Sequence, residues 1–168
     1  MLNKNTKSGF GLIEIVVATA LISSSLFALS AISQLALRAS DGSLMAIKGS
    51  YLAEEAFEAA RSVRDDGWTA NISVLVLEQP YYPVFSSSKW SLSPTSPGMT
   101  DGLFERRVIF SEVWRKTADD NIVASTSPDN KYLDQNTLEV SIFVSWPKTG
   151  GLTSSVELVN YLTNLFED

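Results

Sequence analysis

The sequence contains no cysteine and no histidine. Without cysteine there is no disulfide and no thiolate metal site, and cysteine usage gives no information about the redox compartment. Without histidine the chain lacks the commonest general base, the Ser-His-Asp triad and imidazole metal ligands. These absences exclude the most familiar catalytic and metal-binding arrangements, so neither a cofactor nor a metal site is expected.

Basic residues are also scarce. The chain has 13 Lys and Arg against 19 Asp and Glu, which gives a formal net charge of −6. No run of basic residues forms a stripe that would follow a nucleic-acid backbone. Arg106 and Arg107 are adjacent, and adjacent side chains of a strand point to opposite faces, so they do not form a cluster. Nucleic-acid binding is therefore not expected.

The chain has one long apolar run, Phe10 to Leu37, with 28 residues and a single charge at Glu14. As an α-helix it would be about 42 Å long, more than the roughly 30 Å hydrocarbon core of a bilayer. Lys4 and Lys7 precede the run, which keeps the N-terminus in the cytoplasm and exports the rest. A removable secretory signal has a shorter apolar core of about 7–15 residues. The run therefore predicts a transmembrane helix over residues 10–38.

Glu14 is an unfavourable residue within this run. A carboxylate at the bilayer centre costs about 2.5–3.5 kcal/mol, and less near the ends. One interpretation is a tolerated charge that reaches the membrane surface by snorkelling. The other is that a cut after Gly9 gives Phe10 a free α-amino group, four residues before Glu14 and on the same helix face. Glu14 would then neutralise an N-terminal ammonium, its own or a neighbour's, and the helix dipole favours an anion in this first turn.

The stretch KSGFGLIE (residues 7–14), followed by the apolar helix, resembles the N-terminus of type IV pilins and pseudopilins. The family pattern is a short basic leader that ends in Gly, then Phe, a small residue and Leu-Ile-Glu. The resemblance implies a leader peptide over residues 1–9, cleavage between Gly9 and Phe10 by prepilin peptidase, methylation of the new amine, and filament assembly that uses Glu14. It also implies an inner-membrane subunit whose partners are other subunits and the inner-membrane assembly platform.

Ala31 indicates a minor pilin or a pseudopilin within this family, because it stands where many major pilins have a kink-making proline. The lack of cysteine removes the C-terminal disulfide loop found in many pilins. Gly11 replaces the more usual Thr or Ser. The clear resemblance covers roughly residues 4–40. The sequence leaves open which machine the subunit serves: an adhesive or twitching pilus, DNA uptake or type II secretion.

Beyond the apolar run, residues 39–67 predict an amphipathic second half of the helix. Asp41-Gly42-Ser43 indicates a joint or a brief interruption, because glycine costs about 1 kcal/mol in a helix interior. Gly67 is predicted to end the helix. The predicted apolar stripe has helical spacing and consists of Leu44, Ile47, Leu52, Ala56, Ala59 and Val63, with Ala53, Phe57 and Ala60 beside it.

Residues 68–168 are expected to form an exported, β-rich head. Leu103–Arg115, Thr137–Trp146 and Thr153–Leu162 have the composition of strands, and Ser73–Glu78 predicts a further short one. The second of these alternates most regularly, with apolar side chains on one face and polar side chains on the other. That alternation predicts which face of the sheet is buried.

Gln79–Gly102 contains four of the six prolines. It is expected to be an irregular loop whose aromatic side chains fold back over the sheet. The apolar face of Leu138–Trp146 is expected to pack on the Leu52–Val63 stripe. The predicted fold is therefore α+β, with a long N-terminal helix packed on an antiparallel sheet of about four strands.

Two classes of function remain open. The first is a filament subunit that has no catalytic activity of its own. The second is a bitopic membrane protein whose exported head is a sensor or an enzyme, with Glu14 incidental. The mass of the mature N-terminus distinguishes them, because methylated Phe10 favours the first class and an intact Met1 favours the second.

Overall fold

The computed structural model describes residues 11–148 and 150–165. Helix α1 (Leu12–Asp65) is followed by the short helix α2 (Trp68–Asn71) and then by the strands. The chain divides into two compact units, one that ends at Leu44 and one that begins at Met45. The first unit contains the apolar part of α1, and the second contains the rest of the helix and all of the described strands.

Helix α1 is 54 residues long, about 81 Å at 1.5 Å per residue. It continues through Asp41–Ser43, so the predicted interruption is absent. Ser43 Oγ donates to the carbonyl of Ala39 at 3.0 Å, as in an ordinary helical turn. The helix ends at Asp65, close to the predicted end, and Gly67 then has a φ of 132°, a conformation that favours glycine.

The described strands are β1 (Pro80–Ser86), β2 (Lys89–Ser93), β3 (Glu105–Lys116), β4 (Ile122–Val123), β5 (Lys131–Lys148) and β6 (Leu152–Thr163). They form one antiparallel sheet with the order β2-β1-β3-β5-β6, and β4 pairs with the end of β3. The α+β architecture is confirmed, with more strands than the predicted four.

The β1–β2 hairpin lies inside the segment predicted to be an irregular loop. Its turn is Ser87-Ser88, with φ values of 52° and 61°, as in the type I′ turns that usually carry Asn-Gly. Serine is uncommon there, so the sequence contains no turn signal. Pro83 is tolerated because β1 pairs with β3 only at Pro80 and Tyr81, so the edge beyond them needs no N–H donor. Pro80 is the first residue of β1, a position where proline is allowed.

The short strand predicted over Ser73–Glu78 is wrong. These residues form turns between α2 and β1, and Glu78 has a φ of 62°, which an extended strand does not allow. The amide of Val76 donates to the Tyr81 hydroxyl at 2.9 Å, and the amide of Glu78 donates to the carbonyl of Phe110 at 2.9 Å. Single hydrogen bonds, not a strand ladder, hold this apolar segment.

The core lies between one face of the sheet and the part of α1 that begins at Met45. The predicted face of β5 is buried in full: Leu138, Val140, Ile142, Val144 and Trp146. It packs with side chains of β3 against a surface of α1 made of small residues, which includes Ala53, Ala56 and Ala60. The predicted packing of this β5 face on the second half of the helix is confirmed.

The buried surface of α1 agrees with the predicted stripe at Ala56, Ala59 and Val63, and with the predicted neighbours Ala53 and Ala60. It differs at the start of the stripe, where Leu44 and Ile47 are 49% and 53% exposed and Gly49 is buried. A hydropathy pattern gives most weight to large side chains, but here the sheet supplies the large side chains and leaves room for small ones on the helix. A Cβ on Gly49 would lie 2.7 Å from Cζ3 of Trp146.

Candidate functional site

Glu14 is the one residue predicted for processing and assembly that lies in the described part of the chain. Gly9 and Phe10 lie outside the described residues. Glu14 is exposed in the first turn of α1, and its amide donates to the carbonyl of Gly11 at 3.0 Å. No cation of the described residues forms an ion pair with Glu14. The carboxylate is therefore at the helix end where the dipole favours a negative charge.

The residues that follow Glu14 form an apolar surface on all sides of the helix. Leu12 is 83% exposed and Phe27 is 81% exposed. By length and composition α1 is able to cross a membrane, with a mean hydropathy of 2.2 over its most apolar window and none of that window buried. Exposure of such a surface to water costs about 25 cal/mol per Å², so covering it with lipid or with other apolar side chains is favourable.

Four hydroxyl groups within this apolar segment are bonded to the helix itself. Thr19 donates to the carbonyl four residues earlier at 2.9 Å, and Ser33 does the same at 2.9 Å. Ser24 and Ser25 both donate to the carbonyl of Leu21, at 2.9 and 2.8 Å. A hydroxyl that donates within its own helix is satisfied without water or a neighbouring chain. The strongest polar feature of the segment is therefore the carboxylate at its start.

Arg106 is a buried cation on the core face of β3. Its side chain is 8% exposed, and Nη1 lies 3.2 Å from Oε2 of Glu55 on α1. The same nitrogen approaches the carbonyl of Leu52 at 3.5 Å, and the guanidinium carbon lies 5.7 Å from the centre of the Trp90 ring. Arg106 therefore connects the second half of α1 with β3 and β2.

The opposite directions expected for Arg106 and Arg107 are confirmed. Arg107 is exposed, and its guanidinium carbon lies 5.2 Å from the centre of the Phe143 ring on the other face of the sheet. The burial of Arg106 is the feature that sequence reasoning missed. A signal was present, because Arg106 has the same alternation as Val108 and Phe110, both of which are buried.

A second ion pair joins the C-terminal end of β3 to the N-terminal end of β5. Arg115 Nε lies 2.6 Å from Asp134 Oδ2, with side chains that are 26% and 15% exposed. Burial alone would raise the pKa of Asp134, but hydrogen bonds from Arg115, Thr137 and the Asn136 amide outweigh it and lower the pKa. The hydrogen bond to Asp134 is the main reason that the pKa of Arg115 is raised. The pair is therefore ionised at neutral pH.

The remaining chemistry of the described head is that of paired surface charges. Lys116 lies 3.0 Å from Asp129, so Arg115 and Lys116 at this end of β3 both have acidic partners and do not form a basic patch.

Residues 11–148 and 150–165 contain no group of three or more carboxylates placed to hold a metal ion. A cleft of about 600 Å³ beside β3 and β4 is lined by three glutamates and by Trp114.

The described residues thus establish an architecture and one candidate site. The architecture is an α+β chain with a long apolar N-terminal helix that meets the length and composition of a membrane span. The candidate site is the exposed carboxylate of Glu14 at the start of that helix. Comparison of the chain with protein-family models, with curated proteins and with solved structures finds no match.

Proposed function

We propose that the chain is a structural subunit, a minor pilin or pseudopilin, of a type IV pilus or a type II secretion-like filament. In this proposal prepilin peptidase cuts between Gly9 and Phe10 and methylates the new amine. Helix α1 holds the subunit in the inner membrane with its head exported, until the assembly platform moves it into a periplasmic or extracellular filament. The subunit has no catalytic activity of its own.

The observation that carries the proposal is the position of Glu14. It is an exposed carboxylate in the first turn of a helix whose following turns are apolar on every side. In lipid this charge is unfavourable. Opposite an ammonium at 4 Å it gains about 4 kcal/mol at an effective dielectric constant near 20, before the cost of desolvation. A charge that destabilises the isolated chain therefore becomes favourable when a neighbour supplies its N-terminal amine.

The apolar surface of α1 supports the same function. A subunit that assembles through its N-terminal helix needs side chains that leave lipid and pack on neighbouring helices. Leu12, Phe27 and the other large side chains of the segment are exposed in the single chain. Burial of each large apolar side chain contributes about 1.5–3 kcal/mol relative to exposure to water, so this segment is stable only in lipid or in a bundle.

The test compares full-length variants expressed with active prepilin peptidase. Glu14→Leu removes the charge, and Glu14→Asp keeps it on a shorter side chain. Asp41→Asn is the matched control because Asp41 is another exposed carboxylate of α1. Mass spectrometry of the mature N-terminus measures cleavage after Gly9 and methylation of Phe10. Abundance in sheared filaments relative to the membrane fraction measures assembly.

Glu14→Leu should be cleaved like the wild type and enter filaments poorly, because the neighbour's amine lacks its partner. Glu14→Asp should be intermediate, and Asp41→Asn should assemble normally. Unprocessed Met1 in the presence of active peptidase would overturn the proposed processing and favour the bitopic alternative. Wild-type recovery of Glu14→Leu in filaments would show that Glu14 is a tolerated charge.

A further inference from the structure

In the described part of the chain, the β1–β2 hairpin pairs with the rest of the sheet at two positions. These are Pro80 and Tyr81 of β1, which pair with β3. By contrast, β3 with β5 and β5 with β6 each pair at twelve positions. The ladder between β1 and β2 continues through residues 82–93, but no described pair joins these residues to β3. Residues 82–93, here called the arm, are therefore a two-stranded ribbon joined to the sheet at one end.

A proline explains why the ladder with β3 stops after Tyr81. The amide of Glu78 donates to the carbonyl of Phe110 at 2.9 Å, so even-numbered residues of β3 direct their backbone groups towards β1. Tyr81 belongs to the last bonded pair of the described ladder. In the same register the next such pair would join Arg106 and Pro83, and proline has no N–H to donate. Side-chain contacts must therefore hold the arm in place of a backbone ladder.

Two contacts of charged side chains join the arm to the head. Lys89 Nζ lies 3.2 Å from Oδ2 of Asp66, and the two side chains are 65% and 34% exposed. The guanidinium carbon of Arg106 lies 5.7 Å from the centre of the Trp90 ring. An exposed ion pair contributes little to stability and is weakened by salt. Neither contact holds the arm as firmly as a continuous ladder would.

The apolar contacts of the arm are also few. Pro83 is the one buried residue of 82–93, all of which the structure describes, and Trp90 and Leu92 are partly buried against the core. The core face of β5 has five buried side chains. Local opening requires least free energy where few apolar contacts and few ladder bonds are lost. The arm therefore detaches more easily than β3, β5 or β6.

A cleft of about 370 Å³ lies between the arm and the segment that follows α1. Val63 and Leu75 belong to one wall, and Trp90 and Leu92 to the other. We propose that the arm is a lid, which opens about its junction with β3 and uncovers this cleft while β3, β5 and β6 stay paired. The ion pair of Lys89 joins the two walls and is broken when the lid opens. The lid concerns the head alone and does not depend on the proposed function.

The absence of cysteine makes this opening measurable. Val63→Cys places a thiol in the lining of the cleft, at a position that is 6% exposed in the closed head. Val144→Cys places one on the buried face of β5, at 0% exposure, and is the matched control. The measurement is the rate of reaction with N-ethylmaleimide for the full-length protein in detergent, relative to the same variant unfolded in urea. Thermal unfolding checks that both variants are folded.

Val63→Cys should react about tenfold faster than Val144→Cys, because opening of the lid needs less free energy than unfolding of the head. Its rate should also rise less steeply with urea, because opening exposes less surface. Asp134→Asn removes an ion pair between β3 and β5, which the open lid keeps. It should therefore accelerate Val144→Cys and leave Val63→Cys unchanged. Equal rates, or equal acceleration by Asp134→Asn, would show that the arm leaves only when the head unfolds and would overturn the proposal.

Two further variants show whether the arm is the part that moves. In the Val63→Cys background, Lys89→Gln removes the exposed ion pair and should raise the rate about threefold. Arg106→Leu removes the cation beside Trp90 and should raise the rate about fivefold. Arg106 is not among the described residues that line the cleft, so this change acts only if the arm leaves β3. Lys48→Gln, at an exposed lysine of α1, is the matched control and should have no effect. An unchanged rate in Lys89→Gln or in Arg106→Leu would overturn the proposal.

Hydrogen exchange is a second measurement that needs no introduced thiol. An isolated two-stranded ribbon is marginally stable in water, so the ladder between β1 and β2 should break when the arm opens. Amides of the arm should therefore exchange faster than those of β5, and Asp134→Asn should accelerate exchange in β5 but not in the arm. Exchange in the arm that follows that of β5 in both proteins would refute the lid.

Discussion

Gly49→Ala should destabilise the head, although alanine is the better helix former. A Cβ at this position would lie 2.7 Å from Cζ3 and 3.3 Å from Cη2 of Trp146, well inside van der Waals contact. The indole ring cannot move away freely, because Trp146 is 8% exposed and its ring centre lies 5.6 Å from that of Phe104. The helix or the ring must therefore shift within a packed core.

The magnitude follows from two opposing effects. Overpacking a core costs about 1–3 kcal/mol, and replacement of glycine by alanine in a helix recovers about 1 kcal/mol. The net loss should be about 1 kcal/mol, which lowers Tm by about 4 °C for a domain of this size. The assay is thermal unfolding of the full-length protein in detergent, monitored by near-ultraviolet circular dichroism.

Gly42→Ala is the matched control in the same helix. Nothing lies within 4 Å of a Cβ at Gly42, so this change should leave Tm unchanged or raise it. Trp146→Phe removes the outer ring that the new Cβ would meet, so it should cost less in the Gly49→Ala background than in the wild type. Equal unfolding temperatures for Gly49→Ala and Gly42→Ala, or additive effects of Gly49→Ala and Trp146→Phe, would refute the reasoning.

Asp134→Asn should lower the free energy of unfolding by about 1–2 kcal/mol at pH 7, because it leaves the partly buried Arg115 without its counter-charge. The pKa of Asp134 is lowered in the fold, so its stabilisation is present above the unfolded pKa and is lost as the pH falls through the folded one. In acid titrations wild type and variant should therefore converge below both values, and a constant difference would contradict this. Arg106→Met should destabilise the head less than Arg106→Ala in denaturant unfolding, because Met fills the volume without a buried charge; the reverse order would contradict that account. Replacement of Ser87-Ser88 by Asn-Gly should raise the free energy of unfolding by about 1 kcal/mol, since both residues have positive φ and Asn-Gly adopts it readily; a lower Tm would show that the serines make contacts that matter more.

The sequence predicted those parts of the fold that depend on the order of neighbouring residues, such as the buried face of β5. The alternation in β5 identifies its buried face because every second residue of a strand points to the same side. The same rule assigns Arg106 and Arg107 to opposite faces, and Arg106 lies on the face of the buried Val108 and Phe110. The β1–β2 hairpin was missed because Ser87-Ser88 provides no glycine signal. Each error concerns a residue whose surroundings, not its own type, decide its conformation.

The candidate site could be predicted from the sequence, whereas contacts between distant residues could not. Glu14 is recognisable from the sequence because it is the one charge in a long apolar run, and its place at the start of the helix follows from that run. The contact of Gly49 with Trp146 depends on residues about 100 positions apart in the sequence, and no local pattern contains it. The attachment of the arm likewise follows from the strand pairing of the whole sheet.

The hydroxyls of Thr19, Ser24, Ser25 and Ser33 donate to carbonyls of α1 itself, and this affects how the segment is transferred between environments. Lipid tails and packed leucine side chains are similarly apolar, so movement from a bilayer into a bundle of helices changes the solvation of the segment very little. None of these four hydroxyls has to lose a partner or find a new one. For the apolar side chains and these four hydroxyls such a transfer is close to isoenergetic. In the proposed function, a preference for one environment would arise at the end of the segment, where Glu14 would gain a neighbour's N-terminal amine as its partner.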